Sequence, residues 1–211
     1  MRRIIMARIV RLICAFGALS MSTAVFAAPL NLPKAIPDFS SLTEVTTTYN
    51  AGSGAFSVTD GINQYTDNTG SYPASGTFTL NAVIDNTGTL LSGTLTISGF
   101  VLFTTPPPVP PAADLLIVDL TDFGFSGAGP STIFEFTGDT IGGTLAAEFP
   151  KGAGVILNPG VTDYAGAFDV DFSGSSGTID TFYIPDNPIP EPMSLILLLS
   201  CIPVIAIRRR R

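Results

Sequence analysis

Histidine and tryptophan are absent from the 211 residues, and the only cysteines are Cys14 and Cys201. Without histidine the usual general base for a serine or cysteine nucleophile is missing, and so is the commonest zinc ligand. Both cysteines lie in apolar stretches near the chain ends. No disulfide is therefore expected to staple the middle, which must be held by sheet pairing and packing unless bound ions help. The lack of tryptophan removes the broadest platform for a sugar ring. Positive charge is scarce as well. Of ten basic residues, four lie near the start (Arg2, Arg3, Arg8, Arg11) and four close the chain, leaving only Lys34 and Lys151 between them. Those two face sixteen carboxylates, a net of about −14, from Asp38 to Asp186. Such a surface repels phosphate backbones, so nucleic acid is not an expected partner, and divalent cations are the natural counter-ions. No segment carries a 3.6-residue apolar stripe, whereas 21 glycines, 17 prolines and many threonines and serines favour strands and turns.

The two ends read as addresses. Residues 1–27 have a basic start, an apolar stretch from Leu12 to about Val25, and small residues at a cut placed between Ala27 and Ala28. That pattern is a secretory signal peptide, and its apolar core is shorter than the roughly 20 residues of a spanning helix. At the other end, residues 186–211 hold Pro190, Glu191 and Pro192, an apolar run over 193–207, and Arg208, Arg209, Arg210 and Arg211. Fifteen residues make about 22 Å of helix against a hydrocarbon core of roughly 30 Å, and Pro203 weakens the helix further. The segment is expected to be a short, transient transmembrane helix. The terminal arginines place the C-terminus in the cytoplasm and the rest of the chain outside.

Between the ends, residues 28–41 are punctuated by Pro29, Pro33 and Pro37 and are expected to form an extended, poorly ordered lead-in. A β-rich passenger domain is expected over 42–185. Strands are read at 42–50 and 55–59, followed by a loop over 60–73. The strongest alternation is at 76–85, where Phe78, Leu80, Ala82 and Ile84 interleave with polar neighbours; a turn at 86–88 leads to its mirror at 91–98, and together these predict an antiparallel hairpin. A third strand at 100–104 extends it. The Pro-rich loop 105–113 cannot supply ladder donors. Further strands are read at 114–124, 131–137, 143–149, 154–157, 164–173 and 178–184. Many short strands bounded by Gly, Pro, Asn and Asp predict an all-β fold, an antiparallel β-sandwich or open β-roll.

Pro190-Glu191-Pro192, an apolar segment and a closing arginine cluster, in that order at the extreme C-terminus, resemble the PEP-CTERM sorting signal of Gram-negative producers of exopolysaccharide. The resemblance covers about a tenth of the chain. It implies that an exosortase, an integral membrane protease or transpeptidase, recognises Pro190, Glu191 and Pro192, cleaves nearby, and releases or transfers the protein to the envelope or matrix. Cys201 and Pro203 depart from the small residues common in such segments.

Within the passenger domain the chemistry is sparse. A carboxylate pair suffices for a glycosidase, and Asp169 and Asp171 are expected on one face of a strand. Asp60, Asn63, Asp67 and Asn68 share the expected loop 60–73 and are the candidates for calcium, which takes several oxygen ligands, although the loop lacks the Asp-x-Asp-x-Asp-Gly pattern. Tyr49, Tyr65 and Tyr72 are candidates for glycan contact. No catalytic residue is expected. The leading expectation is a secreted or surface-associated structural or adhesive protein, partnered by exosortase, transiently by the inner membrane, and by extracellular polysaccharide. The alternative is a glycan- or calcium-binding module on the same scaffold.

Overall fold

The structure is a computed structural model and describes residues 28–41, 45–103, 113–161 and 163–184. Among the described residues ten strands run in chain order: β1 (Asp38–Ser40), β2 (Thr46–Asn50), β3 (Ala55–Asp67), β4 (Gly70–Ile84), β5 (Leu90–Val101), β6 (Ala113–Ser126), β7 (Ile133–Gly142), β8 (Ala153–Asn158), β9 (Phe172–Gly174) and β10 (Thr178–Tyr183). Each pairs antiparallel with its neighbours. β1 and β2 lie one after the other along β3, and β9 and β10 one after the other along β2 and β1. These two broken strands count as one stave each, so the sheet is an up-and-down meander of eight staves. β1 then pairs with β10 on one side and β3 on the other, which joins the last stave to the first.

That double pairing overturns the expected sandwich or open roll: the molecule is all-β, but it is a closed barrel. The alternation that sequence displays is common to both architectures. Only the pairing of first and last staves separates them, and that pairing covers the edges an open sheet would expose, leaving the three-residue β9 paired on one side. The hairpin predicted over 76–98 is present, with Phe78 opposite Ile97 and Leu80 opposite Leu95. Residues 100–101 continue β5 and do not form a separate strand.

Inward positions carry the core. Phe56, Val58 and Ile62 from β3, Phe78, Leu80 and Ile84 from β4, Leu95 and Ile97 from β5, and Phe134 and Phe136 from β7 are all buried. Both barrel mouths are stopped by loops. At one end, residues 143–152 were expected to include a strand at 143–149. Instead, the amides of Thr144 and Leu145 donate to the carbonyls of Asp114 and Leu115, a 3-10 turn follows at Ala146–Glu148, and Phe149 is turned onto the ring of Phe39. At the other end, residues 159–171 carry Val161, Tyr164 and Phe168 into a cluster with Phe123, Phe125, Phe134 and Phe172. The predicted strand at 164–173 is therefore mostly this plug, with only Phe172–Gly174 in the sheet.

The lead-in is also more ordered than expected. Residues 28–37 cross the outside of the barrel as a strap over β6, β7, β8 and β10. Leu30 lies against Gly124, and Leu32 packs over Gly154 and beside Phe182. The Glu135 carboxylate accepts the amides of Asn31 and Leu32 at 3.0 and 3.1 Å. Asn31 has a φ of 54°, and the carboxylate is bound by two successive backbone donors, as in an anion-binding nest. Lys34 pairs with Asp180, and the Pro37 carbonyl accepts the Tyr183 amide at 2.9 Å.

Candidate functional site on the outer wall

The structure separates the residues expected to bind calcium. The expected loop 60–73 is instead the end of β3, a two-residue turn and the start of β4. Asp60 faces the interior, and its Oδ1 accepts the Gly61 amide at 2.6 Å. Asp67 stands at the barrel rim, seven strand residues away, which is about 23 Å at 3.3–3.4 Å per residue. One ion cannot touch both. Asp67 caps its own turn: its Oδ1 accepts the Thr69 hydroxyl and amide at 2.6 and 2.7 Å and the Gly70 amide at 3.1 Å. The Thr69 hydroxyl bond is the main cause holding this carboxyl below its ordinary value. Asn63 sits at a register shift between Ile62 and Gln64, and Asn68 lies in the exposed turn. No group of three or more metal-ligating side chains occurs among the described residues.

Asp169 and Asp171 do not share a strand face either. Both are exposed on the plug loop, and Asp171 Oδ1 accepts the Ala51 amide at 2.7 Å. Of the three tyrosines, Tyr49 and Tyr65 are core residues. The Tyr49 hydroxyl lies 3.1 Å from the Ile84 carbonyl and 3.0 Å from that of Phe168, and burial, then the charges of Asp85, Asp171 and Asp169, raises its pKa. Burial first, with Asp67, Glu148 and Tyr72, pushes Tyr65 up to about 12. Only Tyr72 reaches the surface, where its hydroxyl meets that of Thr69 at 2.6 Å and its ring meets Phe103 at 5.0 Å. Pro190, Glu191, Pro192, the run 193–207 and Arg208 to Arg211 lie outside the described residues, as do Ala27 and 104–112. Among the described residues no helix is long and apolar enough to cross a membrane. Ala28 is described, exposed, with its carbonyl against Gly124.

What the structure does assemble is a hydroxyl-rich wall. Strand register places Ser173, Thr48, Ser57, Asn81, Thr94 and Asp119 in one row across β9, β2, β3, β4, β5 and β6. A second row holds Thr46, Thr59, Thr79 and Thr96. Neighbours in a row stand about 4.8 Å apart, the strand spacing. Two adjoining troughs, of about 450 and 530 Å³, open where this wall meets the plug loop; both are lined by Thr48, Asp163 and Ser173, the first also by Asp171. The troughs offer hydroxyls and carboxylates, a lining suited to hydrogen bonding with a polyhydroxyl ligand. The alternation Thr77-x-Thr79 and Thr94-x-Thr96 was visible in the sequence, but the rows depend on register.

No protein-family model, curated protein or solved structure matches this chain.

Proposed function

We propose that the chain is a secreted or surface-associated structural or adhesive protein of the envelope or exopolysaccharide matrix, exported on its signal peptide and sorted and cleaved by an exosortase. One observation carries the structural part of this reading. The barrel interior is lined by buried side chains and stopped at both mouths by Phe149 and Phe168, which leaves the outer wall of the described domain as its surface for contact. The sorting part rests on residues 190–211. In this reading Pro190, Glu191 and Pro192 are the recognition motif, the run 193–207 holds the protein briefly in the inner membrane, and Arg208 to Arg211 stay in the cytoplasm. Deleting the host's exosortase should leave the full-length protein in the membrane fraction. Unchanged processing in that strain would overturn the sorting claim.

A second reading, a glycan-binding module, is favoured by the troughs beside Thr48, Ser173 and Asp171. Calorimetry of the purified protein with the host's polysaccharide, and separately with Ca²⁺, distinguishes them: saturable heat with the polysaccharide supports binding, and silence toward both leaves the passive role.

A further inference from the structure

The strap and the wall beneath it have the parts of a ligand and its receptor. The receptor is built from four staves. Gly124 on β6 and Gly154 on β8 are notches: a Cβ at Gly124 would stand 2.4 Å from the Ala28 carbonyl oxygen and 2.9 Å from Leu30, and one at Gly154 would meet the Phe182 ring at 2.8 Å and Leu32 at 3.3 Å. Between the notches Glu135, only 6% exposed, presents both carboxylate oxygens to successive strap amides. At the far end Asp180 takes Lys34. Leu32 and Phe182 are buried against the outside and do not belong to the core cluster. The barrel therefore closes without the strap, which joins β1 only through residues 35–37.

From this we infer that the groove over Gly124, Glu135, Gly154 and Asp180 also accepts the strap of a second copy, so that two molecules exchange residues 28–34. The groove itself specifies the occupant: it already holds this segment, and any other copy carries the same one. Charge agrees, because Lys34 is one of two lysines among the described residues and the wall it meets is acidic. A segment on the outer surface leaves its groove without unfolding the barrel, and exchange of a terminal element is a low-cost route to a dimer. The intramolecular form dominates in dilute solution and the exchanged form grows with concentration, as expected when a tethered ligand competes with a free one. The inference stands apart from the sorting and glycan readings and gives the barrel a means of self-association.

The test uses the Lys34–Asp180 contact. Chains carrying Lys34→Ala or Asp180→Asn are expressed separately in the host, purified as the host presents them, mixed while folded, and treated with a zero-length carbodiimide that joins an amine to a carboxylate. Each parent lacks half of the pair, so neither forms the bond alone. Exchange predicts a covalent mixed dimer whose peptide map joins Lys34 of one chain to Asp180 of the other, with a yield that rises several-fold as the mixture is concentrated tenfold. Glu135→Ala placed in the Lys34→Ala chain should lower that yield several-fold, since that chain supplies the groove. Wild-type protein linking Lys34 to Asp180 within one chain while the mixture stays monomeric would overturn the inference. So would a dimer that forms equally from the double variant Lys34→Ala/Asp180→Asn.

Discussion

The Tyr49 hydroxyl lies 3.0 Å from the carbonyl of Phe168, and the two rings meet edge to face at 5.0 Å. Tyr49 belongs to β2 and Phe168 to the plug, so this contact latches the plug to the barrel wall. A hydroxyl that serves buried carbonyls leaves them without a donor when it is removed. Tyr49→Phe should therefore cost about 1–3 kcal/mol, read from urea denaturation. Phe168→Ala, which empties the plug, should cost about 3–5 kcal/mol. A neutral Tyr49→Phe would mean that this hydroxyl does not latch the plug.

Gly76 and Gly99 face each other across β4 and β5. A Cβ at Gly76 would fall 2.0 Å from the Ser98 carbonyl oxygen and 2.8 Å from the Gly99 Cα. Both are backbone atoms and cannot swing aside. Gly76→Ala should destabilise the protein by about 3 kcal/mol, at the upper end of ordinary single substitutions. Thermal denaturation with a fall in Tm of only a degree or so would show that the two strands separate readily here.

Asp38 supplies a pH signature. Burial first, then the neighbouring Asp180 carboxylate, raises its pKa from an ordinary 3.8 to about 6, against the pull of Lys34. The folded state thus holds a proton that the unfolded chain has already lost. Linkage then makes this stabilisation full below about pH 4 and gone above about pH 6. Asp38 is partly open to solvent, so the effect is about 1–2 kcal/mol after screening. Asp38→Asn should raise stability at pH 7 and flatten the decline between pH 4 and 6. Asp67 and Asp85 act in the opposite sense. Their pKa values are lowered, chiefly by the hydroxyls of Thr69 and Thr87, so their contribution is lost as pH falls below about 4. Denaturation curves across pH 3–8 for both proteins check the signs.

The sequence made some of this legible through residues whose neighbours are local. Phe78, Leu80, Ala82 and Ile84 alternate cleanly, and the turn at 86–88 hands the pattern to Leu95 and Ile97, so the central hairpin could be read. Closure could not, because it depends on Asp38–Ser40 meeting Asp180–Phe182 some 140 residues later. The stretch 60–73 read as a loop because an inward Asp60 and a shift at Ile62/Gln64 break the alternation, although the backbone stays paired. Phe149 and Phe168 looked like strand residues; nothing local reveals that a ring will stop a barrel mouth. The strap was hidden for a similar reason, since its partners Glu135, Gly154 and Phe182 are distant in sequence. Of the site, the hydroxyls of Thr46, Thr48, Thr79, Thr94 and Thr96 were in view, but their alignment into rows follows from register.

The mass of the mature protein tests the account most directly. Intact-mass spectrometry of the form recovered from the host's envelope or medium should give a chain that begins at Ala28 and ends close to Pro190, Glu191 and Pro192, without residues 193–211. Recovery of a chain that still carries Arg208 to Arg211 as the predominant exported form would contradict it.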